Sequence, residues 1–98
     1  MKDFDYQQLD DVIHSRIRLA IISILISVEE AEFNFLKEQV KATDGNLHVH
    51  LKKLEETGYI FVRKEFVNRK PVTSYKLSKK GRDAFEIYVK RLEKLIKK

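Results

Sequence analysis

A mainly helical α+β fold, formed as one domain over residues 1–98, is what this sequence predicts. Two observations carry the fold and a third points to its use. The apolar period is helical over most of the chain, turns to strict alternation after Gly58, and becomes helical again after Ser78. A chain of 98 residues can close one hydrophobic core but not two. Basic charge is gathered on the alternating stretch and the turn that follows it. Residues 63–82 hold eight Lys and Arg against the single acid Glu65, a net charge of +7, whereas residues 1–11 hold Lys2 against Asp3, Asp5, Asp10 and Asp11. Dispersed surface charge mixes its signs, and this stretch does not.

Residues 1–10 show little periodicity. Phe4, Tyr6 and Leu9 offer apolar contacts, so this arm is either a frayed end or a segment ordered by a partner. A first helix is predicted from Asp11 to Ser27, with Val12, Ile13, Ile17, Ala20, Ile21, Ile24 and Leu25 as a broad apolar stripe. Leu19 and Ile22 widen that stripe almost all round, which asks for cover from a second subunit. Ala31 to Phe33 are placed to add a short strand. Asn34 is the expected cap of a second helix, Phe35 to Lys41, with Phe35, Leu36 and Val40 inward. Ala42-Thr43-Asp44 then forms a turn, and Thr43 or Asp44 caps a third helix. Leu47, Leu51 and Leu54 mark its inner face and Gly58 its end.

From Ile60 the residues alternate. Tyr59, Phe61, Arg63 and Glu65 point one way, and Ile60, Val62, Lys64 and Phe66 the other. Asn68-Arg69-Lys70-Pro71 breaks the run, and Thr73, Tyr75 and Leu77 form the inward row of a second strand. Ser78 caps a last helix over 78–98. In it Phe85, Tyr88, Leu92 and Leu95 follow coiled-coil spacing, flanked by Val89 and Ile96. A short helix followed at once by a small basic hairpin is the layout of a winged helix-turn-helix. The wing is expected to be a two- or three-stranded antiparallel sheet.

The combination Leu47, His50, Leu51, Leu54, Glu55, Gly58, Tyr59 and Ile60, then the hairpin with NRKP at its tip and the run YKLSKKGR, resembles winged-helix DNA-binding regulators of the MarR/ArsR type. The likeness is strongest to small stand-alone archaeal and bacterial members, and it covers Asp11 to the C-terminus. It implies a sequence-specific transcription regulator that binds double-stranded DNA as a homodimer in the cytoplasm.

On that reading the N-terminal half of the third helix enters the major groove. Thr43, Gly45, Asn46, His48 and Val49 stand there. Asn46 suits an adenine edge, His48 can donate or accept, and Val49 can touch a thymine methyl. Lys52 and Lys53 fit phosphates better than bases. His50, at the edge of the apolar face, either reaches a phosphate or completes the helix packing. On the hairpin, Arg63 and Lys64 face phosphates along the flank, and Asn68, Arg69 and Lys70 form a tip able to enter a narrow minor groove. The dimer is expected to use Ile13 and Ile17 of the first helix with Phe85, Tyr88, Leu92, Leu95 and Ile96 of the last.

Other classes find little in the sequence. There are no cysteines, which removes disulfides and thiolate chemistry. His48 and His50, two apart on a helix, point about 200° apart and cannot share one metal ion. No nucleophile motif, phosphate-binding glycine loop or paired carboxylate stands out, so neither an enzyme nor a cofactor is expected. The longest apolar run, Leu19 to Ile26, includes Ser23 and is too short for a membrane span. The rival expectation is a winged helix serving as a protein–protein interaction module, against which the +7 stretch argues. Nothing in the sequence names an effector ligand.

Overall fold

Two competing caps decide where the first helix begins. In the computed structural model, which describes residues 5–97, Asp10 accepts from the backbone N–H groups of Val12 and Ile13 at 2.8 and 3.1 Å. That turn holds the chain off the helical path until Ser15, whose hydroxyl accepts from Arg18 N. Helix α1 therefore spans Arg16–Ser27 and not the longer run from Asp11 that its apolar stripe suggested. The turn carries Ile13 fully into the core, beside Ile21, Ile22 and Leu25. Ile17, Leu19, Ile24 and Ile26 are partly covered by the same core. The apolar girth of α1 thus finds most of its cover within its own chain.

Strand β1 (Ala31–Glu32) leads straight into α2 (Phe33–Val40). The helix starts earlier than Asn34 would have it, so the inward set shifts. Phe33 and Leu36 face the core, while Phe35 is 44% exposed. Lys41 closes α2 in the left-handed region at φ 60°, turning the chain toward α3 (Asp44–Thr57). Of the two candidate caps Thr43 is the one used, its hydroxyl accepting from Asn46 N at 3.2 Å. Asp44 instead pairs with Lys37 of α2 at 2.6 Å. Leu47, Leu51 and Leu54 are buried as their spacing requires, and Gly58 leaves the helix at φ 85°.

Strands β2 (Ile60–Val67) and β3 (Lys70–Leu77) pair antiparallel, with β1 on the far side of β3, in the order β1-β3-β2. The turn is tighter than the four residues Asn68 to Pro71. Only Asn68 and Arg69 lie outside the strands, both at positive φ, and Lys70 already pairs with Val67. This is the two-residue hairpin whose twist matches the strands it joins. Helix α4 (Lys79–Ile96) begins at Ser78, whose hydroxyl accepts from Gly81 N at 3.0 Å.

Ser78 also ties α4 to the end of α3. Its hydroxyl donates to Gly58 O at 2.6 Å and its N–H to Tyr59 O at 3.0 Å. Lys80 caps the Thr57 carbonyl at 2.8 Å and lies over the Tyr59 ring. A Cβ on Gly81 would stand 2.2 Å from Tyr59 O, so only glycine lets α4 approach this closely. Among the described residues no helix is long and apolar enough to cross a membrane.

Candidate nucleic-acid interface

Helix α3 presents its polar side on one edge of the molecule. Gly45, Asn46, His48, Val49, Lys52 and Lys53 are all exposed, and Val49 reaches 65% exposure in a helix whose opposite side is dry. The geometry of the helix explains the split. Three leucines at one-turn intervals fix the buried side, and the residues between them have only solvent to face. Thr43 stands at the helix start, engaged as its cap.

Two histidines on this helix are held by neighbours in different ways. His48 stacks on Phe33 of α2, ring centroids 4.5 Å apart. The contact fixes the imidazole on the flank of α3, a role that the sequence reading did not assign to Phe33. His50 is partly buried and meets Arg18 of α1 at 2.8 Å, guanidinium nitrogen to Nδ1. Arginine only donates, so Nδ1 accepts and the ring proton sits on Nε2. Burial, and then the Arg18 charge, lowers the His50 pKa from 6.5 and favours this neutral form. Arg18 is braced in turn by its Nε, which donates to Val12 O at 2.5 Å. Arg18, one of two arginines at the start of an otherwise apolar helix, was the signal for this contact, since a part-buried guanidinium needs acceptors.

Between α3 and the hairpin runs a groove of about 300 Å³, lined by His48, Leu51, Lys52, Glu55, Val62, Lys64, Thr73 and Tyr75. Burial, with Glu55 nearby, raises the Tyr75 pKa. Val62 and Lys64 belong to the row of β2 that faces α3. Arg63 belongs to the other row, where it binds Glu30 at 3.0 Å and Glu65 at 3.3 Å. Lys52, Lys53, Lys64, Arg69 and Lys70, by contrast, form no ion pair among the described residues. Asn68 and Arg69 make the hairpin tip.

The residues named for subunit contact are divided by the structure. Ile13 lies wholly in its own core, which leaves it no surface for a partner. Tyr88 also turns inward, and its hydroxyl shares a hydrogen bond with His14 Nδ1 at 2.8 Å. Ile17, Phe85 and Leu92 are partly covered; Leu95 and Ile96 are exposed, as are Ile87 and Val89. The N-terminal segment straps this side of α4. The Arg91 guanidinium donates to Gln8 O at 2.6 Å, and the Tyr59 hydroxyl donates to Asp10. Burial and the Asp10 contact push the Tyr59 pKa up to about 12.

A helix, a tight turn, a second helix with a free polar face and a basic hairpin beside it define a winged helix-turn-helix domain. The chain belongs to the winged helix DNA-binding domain family, which it matches over residues 17–96. It is similar to an uncharacterized protein of Methanocaldococcus jannaschii, 41% identical over 86 residues that cover 88% of this chain and 94% of that protein. The solved structure of a transcriptional regulator homologue from Pyrococcus horikoshii OT3 matches with a TM-score of 0.81 at 25% identity, over 87% of this chain and 84% of that one. A MarR-family transcriptional regulator from Silicibacter pomeroyi shares the fold, with a TM-score of 0.67 at 16% identity over 90% of this chain and 58% of its own.

Proposed function

We propose that this protein is a homodimeric transcription regulator that reads double-stranded DNA in a sequence-specific way. The observation that carries the reading is the division of charge across the hairpin. Arg63, on the row away from α3, is neutralised by Glu30 and Glu65, while Lys52, Lys53, Lys64, Arg69 and Lys70 have no acidic partner among the described residues. Unpaired cations beside an exposed helix start are what a phosphate backbone needs, and Asn46, His48 and Val49 offer the groups that read base edges. His50 Nε2–H is a further donor for a phosphate. Two such helices related by a twofold axis would enter successive major grooves ~34–36 Å apart. Val89, Leu92, Leu95 and Ile96 offer the apolar surface for that pairing.

Selection of bound duplexes from random DNA, run at two salt concentrations, tests the proposal. The expected product is an approximate palindrome with half-sites ~10–10.5 base pairs apart, enriched at both salts. Recovery of unselected sequence at both salts would contradict it.

A further inference from the structure

The end of the hairpin carries an apolar pair that the core does not use. Phe66 is 77% exposed, and its cross-strand partner in direct register is Pro71, also exposed. Alternation along β2 sets Phe66 in the row of Val62 and Lys64, the row that lines the groove opposite His48 and Lys52. An exposed phenylalanine there forgoes the burial that favours apolar side chains elsewhere. The adjoining turn is costly as well. Arg69 occupies the left-handed region at φ 66°, where a two-residue hairpin ordinarily takes glycine. Lys64 shares the row of the pair, Arg69 stands in the adjoining turn and Lys70 precedes Pro71 on the opposite row, none of them ion-paired among the described residues.

An apolar wedge flanked by free cations matches the minor groove of a duplex. Apolar side chains inserted there part a base step, while the cations hold the flanking phosphates. We propose that Phe66, backed by Pro71, is such a wedge, and that the wing kinks the DNA it contacts. The inference rests on the DNA-binding reading above and adds a deformation to it. It also supplies a source of sequence preference at positions no side chain reads, because pyrimidine–purine steps unstack most easily. A protein partner fits this face of the tip less well, since its apolar area is one ring and one proline flanked by like charge, exposed Val67 lying on the opposite row.

The test is energy transfer between dyes at the two ends of a duplex, titrated with the full-length parent, Phe66→Ala and Phe66→Leu. The parent is expected to bend the duplex by roughly 20–90°. Phe66→Ala is expected to leave it nearly straight and to bind about tenfold more weakly, the scale of one lost aromatic–base contact. Phe66→Leu, still apolar, is expected to restore most of the bend. A base analogue that brightens on unstacking should report the same order of variants. A parent that binds without bending overturns the wedge alone, and so does Phe66→Ala bending as strongly as the parent. A change in the sedimentation of Phe66→Ala without DNA would instead assign the tip to contact between copies, and overturn it too. Failure of the parent to bind any duplex would overturn both the wedge and the reading beneath it.

Discussion

At Gly45 a helix gives up stability and leaves a gap. Glycine inside a helix costs roughly 0.5–1 kcal/mol relative to alanine, and a Cβ built here meets nothing within 4 Å. Packing within the chain does not explain the residue; on the proposed DNA-binding reading, a duplex approaching from outside would. We expect Gly45→Ala to raise the free energy of unfolding by up to ~1 kcal/mol while weakening DNA binding. Denaturant melts and binding isotherms on the same preparation check this; a variant that gains stability and binds as before would remove Gly45 from the interface. The sequence made Gly45 visible through the wheel set by the three leucines. It did not reveal Phe33 against His48 or Arg18 against His50, because those pairs join residues 15 and 32 positions apart. Periodicity places a residue on a face, and only the packing of helices decides which neighbour it meets there.

Among the elements, those with a clear boundary signal were the most legible. Helix α3 has a single apolar face and a glycine stop, and α4 has Ser78 as its start. Helix α1 was expected from Asp11, because its apolar stripe runs on from there, and it begins at Arg16 instead. Asp10 acts on the turn before Ser15 acts on the helix, which cuts the expected element short and turns Ile13 inward. The seam expected on α4 is divided by the packing. Phe85, Leu92 and Leu95 keep some outward surface, but Tyr88 is drawn in by His14, and Val89 with Ile96 continues the exposed side. Large apolar side chains left in water forgo roughly 1.5–3 kcal/mol each, which a second copy of α4 would recover. Ile96 is 73% exposed, so a charge there leaves the single chain's core intact. We expect Val89→Glu/Ile96→Glu to give a folded monomer by sedimentation, with a lower thermal midpoint and weaker DNA binding. A parent that already sediments as a monomer, or a variant that still pairs, would contradict pairing through α4.

At the scale of the whole molecule, the end of α3 is joined to the start of the last helix. Ser78, Lys80 and Gly81 lock the start of α4 onto Gly58, Thr57 and Tyr59 at the end of α3. Subunit pairing through α4 would thereby set the spacing and angle of two α3 helices rigidly, which a palindromic site requires. The wing extends from the same junction, since β2 starts at Ile60. Helix and wing are thus expected to divide the work of binding, one reading bases and the other holding backbone.

The most direct test of that division compares Asn46→Ala and His48→Ala with the double variant Arg69→Ala/Lys70→Ala, on preferred and random DNA across a salt series. The helix variants should each lose ~1–3 kcal/mol of discrimination while keeping the parent's salt dependence. The wing variant should weaken both DNAs alike and flatten the slope of log affinity against log salt by about 1–2. Equal losses on both DNAs for the helix variants, with an unchanged slope for the wing variant, would contradict the account.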